Sequence, residues 1–239
     1  MIILRILLVL ISIYLIYILL LFLLSLTIRK KEYKKESPFF RFLLNQSTRR
    51  ALYLLGVRIH VSNLDIIPDT KRILFVSNHR SNYDPIITWG VLRKWHPAYV
   101  SKEANFHIPI YGRLIRKCCF LSIDRDSIRS SSITFDKASD LLKNGEVSVA
   151  IYTEGKRSKS GKLLPFHDCV FKVAQKADSK IVVLTIKGTE KIFSNIKRLK
   201  KSHVYLYVLA VLGEEEIKNK KSVEIGEEVR ALMERNLGE

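Results

Sequence analysis

Cysteine is scarce in this chain. Three occur in 239 residues, Cys118, Cys119 and Cys169, and two of them are neighbours. That spacing argues against a disulfide framework and matches no metal-ligand pattern. The three read as structural thiols of a reducing compartment, and no metal is expected. Acidic side chains are also short: 23 Asp and Glu stand against 41 Lys and Arg, a net charge of +18. A surplus of that size suits a membrane surface, a nucleic acid or a phosphorylated substrate. No basic stretch is interleaved with aromatics in the manner of a nucleic-acid module, so no nucleic-acid partner is expected. Internal repeats and low-complexity linkers are missing too, which leaves one domain of ordinary size.

Charge is missing altogether from Ile6 to Ile28. As a helix rising ~1.5 Å per residue, that run crosses a ~30 Å hydrocarbon layer. A cleaved signal peptide has a shorter apolar part and ends in small residues; Ser25-Leu26-Thr27 is a poor cleavage site, and Leu19 to Leu24 carries the apolar run on. A buried core helix is rarely apolar on every face over such a length. The segment reads as an uncleaved anchor. Arg29, Lys30, Lys31, Lys34 and Lys35 follow it, which places the C-terminal side in the cytoplasm and offers cations to anionic headgroups. The expected layout is an anchor with its basic flank over 1–35 and one domain over 36–239. The protein would cross the cell membrane once, with that domain on the cytoplasmic face.

The remaining chain alternates between two periods. Phe39 to Leu55 places apolar residues at helical spacing, with Arg41, Arg49 and Arg50 toward the wet side. This amphipathic helix either lies on the bilayer or packs on the domain. Val57–Val61 alternates as a half-wet strand, and Ile73–Val76 is continuously apolar, as a central strand is. Further strands are expected at Ala98–Ser101, Cys119–Ile123, Val147–Tyr152, Ile181–Ile186 and Val204–Leu212. Helices are expected at Pro85–Leu92, Ser127–Leu142, Val170–Ala177 and Ser222–Leu237. Strands alternating with helices predict an α/β domain, with a mixed, mostly parallel sheet flanked by helices.

The chemistry gathers at strand ends, where open α/β sheets place ligands. His79 and Asp84 flank the loop that follows the Ile73–Val76 strand. A His held by a carboxylate takes a proton from a weak nucleophile at neutral pH. The spacing alone does not identify the pair, because His60 and Asp65 repeat it; His60, however, sits on the wet face of a strand. Asp84 before Pro85 is also a good helix cap, so two roles stand open for it. At the next strand end, Glu154-Gly155-Lys156-Arg157 suits an anion, with Arg157 offering forked donors. Arg125 and Lys102 follow two other strands. Each of these cations could also be an ordinary surface charge. Leu163 to Phe166 reads either as a lipid-facing segment or as a core plug.

Four of these stretches occur in the order and approximate spacing of four motifs of the glycerolipid acyltransferases. They are Asn78-His79 to Asp84-Pro85, Phe120 to Arg125, Glu154 to Ser158, and Ile181 to Ile186. Over residues 55–190 the chain resembles that family, and within it the bacterial 1-acylglycerol-3-phosphate acyltransferases. The resemblance implies acyl transfer from acyl-CoA or acyl-carrier protein to the hydroxyl of lysophosphatidic acid, giving phosphatidic acid. It implies His79 as general base and Asp84 as its orienting partner, with no acyl-enzyme and no cofactor. It also implies Lys102, Arg125, Glu154, Gly155 and Arg157 at the substrate. The expected partners are membrane lipids, the lysophospholipid acceptor and the acyl donor. The chain departs from the family pattern at Thr153, Lys156, Cys169 and Val183, positions that bear on the acceptor. The rival readings are an acyltransferase for another lysophospholipid or hydroxyl, and a non-enzymatic basic protein that binds anionic lipid.

Overall fold

A computed structural model describes residues 2–238. Strands are β1 (Val57–Ser62), β2 (Ile73–Ser77), β3 (Pro97–Lys102), β4 (Leu121–Ile123), β5 (Ser148–Tyr152), β6 (Lys180–Lys187) and β7 (Ser202–Leu212). Helices are α1 (Ile2–Leu26), α2 (Pro38–Leu54), α3 (Asp84–Leu92), α4 (Tyr111–Lys117), α5 (Ile128–Lys143), α6 (Phe171–Lys176), α7 (Ile192–Lys197), α8 (Glu214–Lys218) and α9 (Ser222–Leu237). The strands form one sheet in the order β1-β7-β6-β2-β5-β3-β4. Every neighbouring pair is parallel except β6 with β7. The expected mixed, mostly parallel sheet is what the chain forms.

The apolar runs explain the order. β2 is buried along its whole length and lies between β5 and β6, themselves almost wholly buried. β7 alternates buried and exposed over its first five residues, because helices cover only one face there. Ser127 caps α5 by accepting from the Ser130 N–H at 3.2 Å, as its position before an apolar-periodic run predicts. The strand expected from Cys119 starts later, at Leu121. Cys119 has φ +61° and closes a turn instead. α4, α7 and α8 have only seven, six and five residues. They are too short for a period of 3.6 to show in sequence.

α1 is long and apolar enough to cross a membrane, and only Leu21 and Ser25 along it are buried. Arg113 of α4 donates to the carbonyls of Ser25, Leu26 and Ile28, satisfying groups that a helix end leaves open. α2 packs on the domain, against α3 and α4. That corrects the placing of Arg41 on a wet face: it is 3% exposed. Its guanidinium lies over the Trp89 ring at 4.8 Å and pairs with Glu36. It also reaches the carbonyls of Pro97 and Cys118. A planar, always charged group suits such a site better than an ammonium. Arg49 and Arg50 are exposed as expected. Of the stretch Leu163–Phe166, Leu163 is buried, Leu164 and Phe166 are half-buried and Pro165 is exposed; Arg230 of α9 donates to Leu164 O and covers the Phe166 ring.

Glu36 is nearly buried and also contacts His96 and Lys71. Burial alone would raise its pKa, but the His96 hydrogen bond and the Arg41 charge lower it below 4.5. Its contribution to stability is therefore complete above pH 4.5 and is lost as pH falls through the lowered value. Glu36→Gln leaves Arg41 buried without a counter-charge and should cost about 3–5 kcal/mol in urea unfolding at pH 7. The gap between wild type and variant should narrow in acid; a constant gap from pH 7 to pH 3 would contradict this account.

Candidate active site

Five parallel strands, β6, β2, β5, β3 and β4, end along one edge of the sheet. Their order sets out in a row the residues that end or follow them: Thr189, His79, Gly155, Lys102, Arg125. With ~4.8 Å between strands, Lys102 stands about 10 Å and Arg125 about 14 Å from the end of β2.

His79 is held on every side but one. Its N–H donates to Glu154 Oε1 at 2.6 Å, and its carbonyl accepts from the Ser158 N–H at 2.8 Å. Its Nδ1 lies 2.8 Å from Asp84 Oδ2. One ring face stacks on Tyr152, with centroids 4.2 Å apart and planes 16° off parallel. The side chain is 12% exposed. With Nδ1–H donating to Asp84, the neutral ring carries its lone pair on Nε2, which has no partner among the described residues.

Asp84 begins α3, yet its carboxylate does not cap that helix. It turns back into the loop. Oδ2 also accepts from the N–H groups of Arg80 and Ser81 at 2.7 and 2.8 Å, and Oδ1 accepts from Thr189 Oγ1. Asp84 is fully buried. Of the two roles left open, the helix keeps the backbone and His79 keeps the carboxylate. His60, which shares the spacing, instead lies 3.0 Å from His203 and stacks on Tyr205 at the exposed end of the sheet.

Glu154 is set differently from a substrate ligand. It is 1% exposed, and its second oxygen accepts from the Leu164 N–H at 2.9 Å. Burial raises its pKa, and the two backbone donors pull it part of the way down again. Gly155 has φ +65°, and a Cβ there would sit 2.8 Å from the His167 ring. The close neighbour of this glycine is thus His167, and only glycine fits. Lys102, Lys156 and Arg157 are exposed, with no hydrogen-bond or ion-pair partner among the described residues. Thr153 is buried with its hydroxyl unpartnered. Cys169 lines a cavity, and Val183 sits at an irregularity in the β6–β7 pairing.

That cavity, about 530 Å³, lies beside His79, with Tyr152 between them. Its walls include Ile123, Phe135, Ile151, Val170 and Val173, and Arg125, Lys172 and Lys176 are its cations. The Tyr152 hydroxyl bonds to Thr88, which also bonds to Tyr99. Burial holds the Tyr152 phenol well above its usual pKa, so it stays neutral. Burial pushes the Cys118 and Cys119 thiols to about 12, which leaves them inert. No cluster of metal-ligating side chains occurs among the described residues.

Sequence reasoning misses Asn78 and Thr189 as supports. Asn78 is buried and exchanges two hydrogen bonds with the Ile186 backbone, extending β2 toward β6 with its side chain. The signal for Thr189 is Gly188 (φ +89°), where a Cβ would meet His203 O at 2.4 Å. A Gln at 154 would turn an N–H toward either the His79 or the Leu164 amide. Glu154→Gln should therefore cost about 1–3 kcal/mol. Amide exchange should quicken at both 79 and 164, whereas unchanged exchange at 79 would show that Glu154 does not hold the loop.

The chain has relatives among proteins of known name. A family model described as Acyltransferase matches residues 58–187. The probable 1-acyl-sn-glycerol-3-phosphate acyltransferase of Mycoplasma pneumoniae is 30% identical over 156 residues, 64% of this chain and 58% of that protein. The chain thus spans less than two thirds of the length of that relative and of its Mycoplasma genitalium counterpart. The 1-acyl-sn-glycerol-3-phosphate acyltransferase of Salmonella typhimurium is 26% identical over 186 residues, covering 78% of this chain and 75% of its own. The fold is shared with the crystal structure of the 1-acyl-sn-glycerophosphate acyltransferase of Thermotoga maritima. The TM-score is 0.68 at 22% identity, over 83% of this chain and 78% of the other. The family match takes in β1 through β6 and the whole His79 loop, and by it this chain belongs to the acyltransferase family.

Proposed function

We propose that this chain moves a fatty acyl group from acyl-CoA or acyl-carrier protein to the free hydroxyl of lysophosphatidic acid, yielding phosphatidic acid. The observation that carries this is His79 with Nε2 open, Nδ1 fixed on Asp84, and a cavity with apolar walls beside it. In this reading Nε2 accepts the proton of the acceptor hydroxyl as its oxygen attacks the thioester carbonyl carbon. The C–S bond breaks, the acyl–oxygen ester forms, and the imidazolium returns its proton to the leaving thiolate. Asp84 holds the tautomer and offsets the positive charge. The acyl chain lies in the cavity, and Lys102, Arg125 and Arg157 attract the acceptor phosphate. Glu154 and Gly155 shape the site from behind, through His79 and His167. No cofactor takes part. Relatives named for this reaction support the reading.

In the same reading α1 anchors the protein in the cell membrane. Residues 36–239 stand on the cytoplasmic face, and Arg29 to Lys35 lie against anionic headgroups. The acceptor is itself a membrane lipid, so the site meets its substrate at that surface.

The test offers purified protein labelled acyl-CoA and a panel of lysolipids. His79→Ala should lose about 10²–10⁴-fold in turnover. His60→Ala should keep wild-type turnover, and an equal loss there would show that the wrong pair had been chosen. Arg157→Ala should raise KM for a phosphorylated acceptor about tenfold while leaving KM for the thioester unchanged. Equal rises in both would remove its phosphate role, and efficient use of acceptors without a terminal phosphate would favour another lysophospholipid.

A further inference from the structure

The turn after α7 combines two features that work against stability in water. The Leu199 N–H donates to Ile196 O and the Lys200 N–H to Asn195 O, which is the Schellman ending of a helix. In that ending the left-handed position is usually glycine, because a Cβ is strained there. Here it is Leu199, at φ +51°. The side chain is also 97% exposed, so no contact in the folded domain compensates. Two local choices that disfavour the fold, made by one residue, point to a role outside it.

Its surroundings say what that role is. Lys197, Arg198, Lys200 and Lys201 flank it, and no acidic residue occurs from Lys191 to Ser202. Phe193, 59% exposed, stands on α7 with Lys197 over its ring. The Ser202 N–H donates to Gly56 O at 3.1 Å, which fastens the turn to the end of α2. There Tyr53 and Leu54 are 84% and 74% exposed. α2 starts beside α4, which caps α1, and near its end Arg50 lies over the Tyr17 ring at 4.8 Å. The turn is therefore attached on the side of the domain that carries α1.

We propose that the Lys197–Lys201 turn is a second membrane contact: its four cations meet anionic headgroups while Leu199 enters the acyl region, with Phe193, Tyr53 and Leu54 alongside. Apolar side chains ringed by Lys and Arg are the chemistry of an interfacial contact, and the attraction grows with the negative charge of the leaflet. The proposal rests on the membrane attachment proposed for α1, and the test separates the two.

Full-length Leu199→Trp and, separately, Leu10→Trp are mixed with vesicles of phosphatidylcholine, with or without phosphatidylglycerol, carrying brominated acyl chains. Wild-type protein supplies the signal of the buried Trp89 and Trp95. The indole at position 199 should shift to the blue and be quenched in anionic vesicles. It should lose both effects when Lys197, Arg198, Lys200 and Lys201 are all changed to Gln, or when salt screens the headgroups. The indole at position 10 should be quenched in every vesicle. Quenching at position 10 with none at position 199 would overturn the turn and keep the anchor. The reverse would keep the turn and overturn the anchor, and no quenching at either would overturn both. Leu199→Gly should raise Tm, because glycine suits that backbone, and should weaken the effect of phosphatidylglycerol on vesicle binding. A lower Tm would show that Leu199 serves the fold and would overturn the proposal.

Discussion

One carboxylate holds the candidate site together. Asp84 is fully buried and is matched by four donors: the His79 ring, two loop amides and the Thr189 hydroxyl. A buried anion is tolerated only when its lone pairs are filled, so these four groups and the carboxylate require one another. Thr189 follows β6, and the other three donors follow β2. Only a parallel arrangement brings those two strand ends to one edge. The dyad is thus a product of topology as much as of the His-x-x-x-x-Asp spacing, which His60 and Asp65 share without making a site.

The same rule works elsewhere with the signs reversed. Arg41 is a buried cation that arrives on α2 and is satisfied by Glu36, two carbonyls and the face of Trp89. It joins the segment after α1 to α3 and to the start of β3. Through Glu36 the chain between α1 and α2 is fixed in place, and Arg113 does likewise for the last carbonyls of α1.

All seven strands are legible in the sequence, because β2, β5 and β6 are continuous apolar runs and β1 and β7 alternate. The long helices are legible from their period and from Ser127. Arg41 is not legible: an arginine at helical spacing reads as solvated, and nothing local reveals that Glu36 and Trp89 wait for it. At the site, His79 and Asp84 are legible by position, but the competition for the Asp84 carboxylate is settled only by where Arg80, Ser81 and Thr189 lie in space. Glu154 reads as a ligand because it is charged and ends a strand. Its burial and its two backbone partners depend on the return of residues 163–164, a contact ten positions away that no local pattern encodes. The cavity walls come from β4, β5, α5 and α6, and their meeting is a property of packing alone.

The clamp on the His79 backbone has a consequence for how such a site works. Both main-chain groups of the residue are engaged by the turn from Glu154 to Ser158, and its ring is engaged by Asp84 and Tyr152. Loop and turn therefore move as one body or not at all. Little reorganisation is left to perform when a proton arrives on Nε2, because the dipoles that receive the charge are already in place. Such a site is assembled when the chain folds, and its imidazole is presented by a backbone that is already held.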